Sequence, residues 1–118
     1  MTIQLGGVTI DCLEPRKLAE FWTQALDAEI DQDFEGFFIT IVRKGDDGRY
    51  VGLQQVPEER AGKNRVHLDF STEDRPAEVA RLVNLGAKEV AEHTVPGLTW
   101  TVLQDPEGNE FCVGSTNG

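Results

Sequence analysis

The feature that most constrains this chain is an internal repeat, in which the order strand, helix, strand, strand, strand occurs twice. The two halves open on similar tetrapeptides, Val8-Thr9-Ile10-Asp11 and Val66-His67-Leu68-Asp69. Self-similarity of this kind indicates that one structural unit is used twice. We therefore predict an α+β fold in which two βαβββ modules form curved mixed sheets around a cleft. Module one covers about residues 3–57, a polar linker covers about 58–64, and module two covers about 65–114.

Hydrophobic periodicity places the elements of module one. Alternation predicts its strands, and Pro15 opens its helix because the donor that proline lacks is unpaired at a first helical position anyway. Apolar residues recur along this helix at spacings of three and four, which predicts one buried face. The predicted strands are 5–12, 28–34, 37–43 and 50–56, and the predicted helix is 15–26.

The same reasoning places the elements of module two. Pro76 opens its helix and Gly86 ends it, as glycine commonly does after a last helical turn. The residues expected on the inner side of this helix are Val79, Ala80, Leu82 and Val83. His93 is expected to be a solvated residue at the edge of a loop. The predicted strands are 65–70, 88–93, 98–103 and 110–113.

Length and charge narrow the class of protein. The 118 residues suffice for a single domain over 1–118, and 21 acidic against 11 basic side chains give a net charge of −10. A field of this sign repels phosphate backbones, so we exclude nucleic acid as a partner. No apolar run is long enough to cross a bilayer and no secretory signal is visible, so we predict a cytoplasmic protein without membrane contact. In that compartment Cys12 and Cys112 are expected to be thiols.

Four motifs follow one another in a characteristic order. They are Leu18-Ala19-Glu20-Phe21-Trp22 in the first helix, Arg65-Val66-His67-Leu68-Asp69-Phe70, Asn84-Leu85-Gly86-Ala87, and Asp105-Pro106-Glu107-Gly108-Asn109 before the last strand. Together they resemble the vicinal oxygen chelate superfamily, which includes glyoxalases, bleomycin-resistance proteins and extradiol dioxygenases. The resemblance covers nearly the whole chain and implies a glyoxalase-like domain.

The resemblance also implies where a metal would bind. Enzymes of this superfamily hold a divalent metal with side chains of the first, fourth, fifth and eighth strands, and the metal chelates oxygens of the substrate. His67 falls at the ligand position of the fifth strand, and Cys112 falls nearest to that of the eighth. The fourth strand offers Gln54 or Gln55, of which alternation lets only one face the cleft.

The first strand departs from the pattern. The spacing that separates His67 from Gly86 leads back from the end of the first helix to Gly7, which has no side chain to ligate a metal. The internal repeat instead pairs His67 with Thr9, and a neutral threonine is a poor ligand. The candidate metal ligands are therefore His67, Gln54 and Cys112, a set that is incomplete at Gly7. It lacks the oxygen ligands typical of magnesium or manganese sites. We predict no resident cofactor, with a divalent metal (zinc, iron, nickel or manganese) as the alternative.

Two residues are candidates for catalysis. His67 could act as a general base near neutral pH. Glu110 shares the strand face of Cys112 and is the carboxylate closest to the expected eighth-strand position.

Four residues are candidates for binding a ligand. Asp69 shares the face of His67 and could orient its imidazole or accept hydrogen bonds from a ligand. Gln54 is suited to hydrogen bonding, whereas Phe38 and Trp100 could form an aromatic wall. Alternation sends only one of Phe37 and Phe38 toward the cleft.

Three functions compete. The leading one is a cleft that binds a small organic molecule, for sequestration as in bleomycin-resistance-like proteins or for metal-free chemistry with His67. The alternative is a divalent-metal-dependent lyase, isomerase or dioxygenase with His67 as a ligand. The third is a protein-interaction module without a pocket ligand. The sequence leaves open whether the protein is an enzyme, and the resemblance implies a homodimer.

Overall fold

The structure is a computed structural model that describes residues 2–45 and 47–116. The chain divides into two units, Met1–Glu59 and Arg60–Gly118. This boundary lies inside the polar stretch 58–64 that the sequence analysis treats as a linker. Each unit has the order strand, helix, strand, strand, strand, so the prediction of two βαβββ modules is confirmed.

The first unit is a four-stranded mixed sheet with one helix. Its elements are β1 (Gly7–Cys12), α1 (Pro15–Leu26), β2 (Glu29–Phe34), β3 (Phe38–Val42) and β4 (Tyr50–Gln55). The strands lie in the order β1-β4-β3-β2, and β1 runs parallel to β4 while the other neighbours are antiparallel. The first and last strands of the unit are therefore adjacent in space.

Helix α1 provides the core of the first unit. It begins with Pro15 at its first turn and ends before Asp27, which takes a left-handed conformation with φ of 52°. The side chains of Leu18, Phe21 and Trp22 are buried, as the three- and four-residue spacing predicts. They pack on the sheet face that carries the buried residues Ile39, Ile41 and Leu53. The opposite face of this sheet is not covered by α1.

The second unit repeats this arrangement. Its elements are β5 (Leu68–Ser71), α2 (Arg75–Leu85), β6 (Lys88–Val95), β7 (Leu98–Gln104) and β8 (Glu110–Thr116). The strand order is β5-β8-β7-β6, with β5 parallel to β8. The side chain of Asp74 caps α2 by accepting a hydrogen bond from the Ala77 N–H at 3.2 Å. Gly86 ends the helix with φ of 124°, a value that favours glycine.

The inner face of α2 is narrower than predicted. Val79 and Leu82 are buried, whereas Ala80 is exposed and 41% of Val83 is accessible. Consecutive helical residues point about 100° apart, so two adjacent pairs cannot all face one narrow contact. The prediction that Ala80 and Val83 lie on the inner side is therefore wrong.

Strand β5 begins later than predicted, at Leu68 instead of Arg65. The parallel ladder starts at the pair Leu68 and Phe111, so a continued ladder would match His67 with Glu110. The N–H of Glu110 instead donates to the side-chain oxygen of Asn64 at 3.1 Å. A backbone donor that is already used cannot extend the ladder. His67 consequently lies just before β5 and does not open it.

The turn between β7 and β8 depends on one buried carboxylate. Asp105 is only 3% exposed, and its Oδ1 accepts hydrogen bonds from the N–H groups of Glu107 (2.9 Å) and Asn109 (3.0 Å). Gly108 completes the turn with φ of 89°. This turn fixes where β8 begins and therefore which residue of β8 faces β5.

No helix in the described part of the chain is long and apolar enough to cross a membrane.

We expect Asp105→Ala to lower the free energy of unfolding by about 1–3 kcal/mol, because two backbone donors lose their acceptor in a buried turn. Asp105→Asn is the matched control, since its carbonyl oxygen can accept the same two bonds. Urea denaturation of the three proteins measures the difference. An alanine variant with the same midpoint as the wild type would show that Asp105 does not hold the turn.

Candidate functional site

Each sheet leaves one face uncovered by its own helix, and strand alternation selects the side chains on it. In the first unit, register places Gln54 of β4 beside Asp11 of β1 and Phe38 of β3. Gln54 is exposed on this face. The neighbouring Gln55 points elsewhere, because its Nε2 donates to the Leu13 carbonyl oxygen at 3.3 Å. Of the two glutamines considered on the fourth strand, Gln54 is thus the one on the open face.

An aromatic pair lies on the same open face. Phe38 stacks on Phe34, with ring centroids 6.1 Å apart. A Cβ atom added to Gly52 would lie 3.0 Å from the Phe38 ring, so this ring lies against the β4 backbone. Phe37 precedes β3 and is exposed to solvent. Alternation therefore gives Phe38 the position on the open face.

Gly7 has a steric reason to be glycine. A Cβ atom added there would lie 2.7 Å from Cγ of Tyr50 and closer still to the Tyr50 carbonyl oxygen. Such approaches do not occur in folded proteins without movement of the backbone. The position that the superfamily uses for a first-strand ligand is thus occupied here by Tyr50.

The first unit also has a small cavity of about 350 Å³ beside the start of α1. Arg16 at its edge donates from Nε to Asp33 Oδ2 at 2.9 Å. The hydrogen bond from Arg16 is the main cause that lowers the pKa of the Asp33 carboxyl below its usual value. These two charges already satisfy each other, and we assign no ligand to this cavity.

The second unit contains a larger cavity of about 780 Å³. It is bounded by β5, β7, β8 and the segment that leads from β5 to α2. The side chains that give it its chemistry are His67, Asp69, Glu73, Leu98, Trp100 and Cys112. Its size lies within the range of 300–1,000 Å³ that is typical of sites for small organic ligands.

Three side chains with metal-binding atoms meet at one end of this cavity. The parallel register places Asp69 directly beside Cys112. His67 Nε2 lies 3.2 Å from Asp69 Oδ1. One ligand atom from each of His67, Asp69 and Cys112 lies within 4.8 Å of the other two. We call these residues the His67–Asp69–Cys112 cluster.

The cluster differs in exposure from one member to the next. The side chains of His67 and Asp69 are 43% and 75% accessible, whereas Cys112 is only 6% exposed. Burial raises the pKa of the Cys112 thiol, and the charges of Asp69 and Glu110 raise it further, against a smaller opposing effect of Lys63. Cys112 is therefore a protonated thiol at neutral pH, and a poor nucleophile.

Glu110 lies on the same strand face as Cys112 but pairs with Gln104 in the register of β8 with β7. Its carboxylate is outside the His67–Asp69–Cys112 cluster. Its charge is one of the causes that raise the pKa of Cys112. The structure thus places Cys112, and not Glu110, opposite Asp69.

Trp100 forms an aromatic wall of the cavity and has a partner of its own. The His93 ring stands over it with centroids 5.2 Å apart and an interplanar angle of 31°. The register pairs these two residues, because β6 continues to Val95. His93 therefore lies within a strand and not at the edge of a loop, whereas the expectation that it is exposed to solvent is confirmed.

Three lining residues, Gly114, Ser115 and Thr116, were missed because β8 was predicted to end at Val113. Gly114 lies opposite Trp100, and Thr116 lies opposite Leu98. Extending the alternation from Cys112 by two and four residues would have found Gly114 and Thr116.

Comparisons with known proteins agree with this architecture. A solved glyoxalase/bleomycin resistance protein/dioxygenase family enzyme from Burkholderia phytofirmans is 18% identical, with a TM-score of 0.79 over 98% of this chain and 100% of that chain. The fosfomycin resistance protein FosX from Mesorhizobium loti is 14% identical, with a TM-score of 0.75 over 99% and 95%. A lactoylglutathione lyase from Agrobacterium tumefaciens is 17% identical, with a TM-score of 0.71 over 95% and 92%. At these identities the likeness shows the fold. A search of curated protein sequences finds no match.

The two βαβββ units and these structural neighbours define the glyoxalase-like fold that the resemblance in the sequence implied. A sequence model for the family described as Glyoxalase-like domain matches residues 7–114. The chain belongs to this glyoxalase-like domain family.

The close approach at Gly7 can be tested by adding a single methyl group. We expect Gly7→Ala to lower the free energy of unfolding by about 1–3 kcal/mol, because the Tyr50 backbone must move to admit Cβ. Gly6→Ala is the control, since its Cβ would meet nothing nearer than Tyr50 Cε2 at 3.9 Å. If chemical denaturation gave equal losses for both, Tyr50 would not be what excludes a side chain at Gly7.

Proposed function

We propose that this glyoxalase-like domain binds a small organic molecule in the cavity of its second unit. The observation that carries the proposal is the composition of that cavity. A space of about 780 Å³ places an indole wall, Trp100, in one enclosure with the polar His67–Asp69–Cys112 cluster. Ligand sites generally combine apolar or aromatic walls with a few polar groups that fix orientation.

The lining residues suggest how a ligand is held. A planar group would stack on Trp100, while its polar substituents would meet His67 and Asp69. The imidazole of His67 can donate or accept a hydrogen bond near neutral pH, and Asp69 beside it orients the ring. Binding of this kind needs no metal, and it serves either sequestration or proton transfer by His67. For the first unit, we propose Gln54 and Phe38 as ligand-binding residues on the open face of its own sheet.

Gly114 offers a direct test, because it lines the cavity opposite Trp100. We expect Gly114→Leu to fill the space beside the indole and weaken ligand binding at least about tenfold. Gly114→Ala is the matched control, since its Cβ would lie 3.6 Å from Trp100 Cβ, an ordinary contact.

The probes are three planar molecules of similar size: N-methylquinolinium, quinoline and quinoline-6-carboxylate. Thermal-shift measurement and titration of tryptophan fluorescence report their binding. The proposal requires that at least one probe stabilise the wild type and the alanine variant but not the leucine variant. A wild type that responds to none of the three, or a leucine variant that responds equally, would reject it.

A second candidate function, a metal-dependent lyase, isomerase or dioxygenase, is favoured by the His67–Asp69–Cys112 cluster. Imidazole nitrogen, carboxylate oxygen and thiolate sulfur are the donors that zinc prefers, and three of them leave a position open for substrate. Their separations of at most 4.8 Å fit such an ion, although Cys112 would have to lose its proton. A bound ion would polarise a substrate oxygen as a Lewis acid. In this arrangement Asp69 takes the role that the sequence analysis gave to Gln54.

Metal analysis tests this second function. We expect the protein, purified without chelator and incubated with zinc, to hold about one ion per chain by elemental analysis. His67→Ala and Cys112→Ser should each lose it, whereas Gln54→Ala should keep it. Loss of zinc in Gln54→Ala would return Gln54 to the ligand set. A wild type that holds no metal, even after incubation with iron, nickel and manganese, would reject the metal-dependent function. Binding of a small organic molecule would then be the function that remains.

The homodimer and the cytoplasmic location stay predictions. The outermost strands β2 and β6 have almost entirely exposed residues, which supports pairing between copies of the chain. Sedimentation equilibrium measures the mass in solution.

A further inference from the structure

We propose that the cavity of the second unit is selective for organic cations with a planar group, and that it discriminates against anions. This inference rests on the proposed function and adds the charge of the ligand to it. It follows from the charges at the cavity, from the aromatic wall and from the accessibility of the carboxylates.

Apart from His67, the ionisable groups at the cavity favour negative charge. Asp69 and Glu73 line it, and among the lining residues that the structure describes there is no lysine or arginine. An anion that enters would meet two carboxylates, one of them already paired with His67, whereas a cation would be attracted by both. The asymmetry is local to the cavity and is not merely a reflection of the net charge of −10.

Trp100 adds a second attraction for a cation. The face of an indole is the strongest aromatic partner for a positive charge, at distances up to about 6 Å from the ring centroid. Trp100 lines the cavity with Leu98 on the same strand, so a flat apolar ring can stack while its charge faces Asp69. A planar group that carries positive charge satisfies both contacts at once.

The expected preference is moderate, because Asp69 is 75% accessible and water screens its charge. We expect N-methylquinolinium to bind about tenfold more tightly than neutral quinoline, and quinoline-6-carboxylate to bind most weakly. The titrations use tryptophan fluorescence in buffer with EDTA, so that no metal ion occupies the carboxylates.

The Asp69→Asn/Glu73→Gln double variant tests the cause of the preference. It should remove most of the preference for N-methylquinolinium over quinoline and leave only the part that Trp100 contributes, while the affinity for quinoline changes less than that for the cation. Glu89→Gln is the charge-matched control, since Glu89 is exposed on β6 and does not line the cavity. It should leave all three dissociation constants as in the wild type.

The outcomes separate the two proposals. Equal or tighter binding of the anion, still abolished by Gly114→Leu, overturns cation selectivity and leaves the proposed function in place. A cation preference that is undiminished in the double variant, or that falls equally in Glu89→Gln, also overturns the inference. Absence of binding by all three probes overturns the inference together with the proposed function.

Discussion

The site depends on the parallel pairing of the first and last strands of the second unit. Because β5 and β8 run side by side in the same direction, Asp69 lies next to Cys112 although α2, β6 and β7 separate them in the sequence. The Asp105 turn fixes the residue at which β8 begins. The hydrogen bond from the Glu110 N–H to Asn64 keeps the ladder between β5 and β8 from extending to His67. His67 lies just before β5, where its ring can reach Asp69. A shift of one residue would turn Cys112 away from the cavity.

The first unit has the same pairing of its first and last strands, but with different side chains on them. Its parallel ladder places Asp11 beside Gln54, as the second places Asp69 beside Cys112. The repeat then aligns Thr9 with His67, so the first unit offers neither an imidazole nor a thiol at these positions. Tyr50 and Phe38 also fill the space over Gly7 and Gly52. The two units therefore share a sheet geometry, while the imidazole and the thiol of the cluster both lie in the second unit.

Features set by local sequence could be predicted. Pro15 and the apolar spacing of α1 determine that helix, and counting from Asp105 identifies Cys112 as the inward residue of β8. Features set by distant contacts could not. The start of β5 depends on a hydrogen bond from the backbone N–H of Glu110 to Asn64, and the position of His93 depends on its pairing with Trp100. Neither contact leaves a periodic signal in the sequence. The grouping of Asp69 with His67 and Cys112 likewise could not be predicted, because it depends on the register between β5 and β8.

Asp69 connects the two functions that the cavity supports. It pairs with His67, and after burial its charge is the largest cause that raises the pKa of the Cys112 thiol. A metal ion between the three side chains would neutralise this carboxylate and favour the thiolate. An organic cation on Trp100 would use the same carboxylate for attraction. The two occupants therefore compete for one charge, and zinc should weaken the binding of a planar cation while leaving that of a neutral planar molecule less affected.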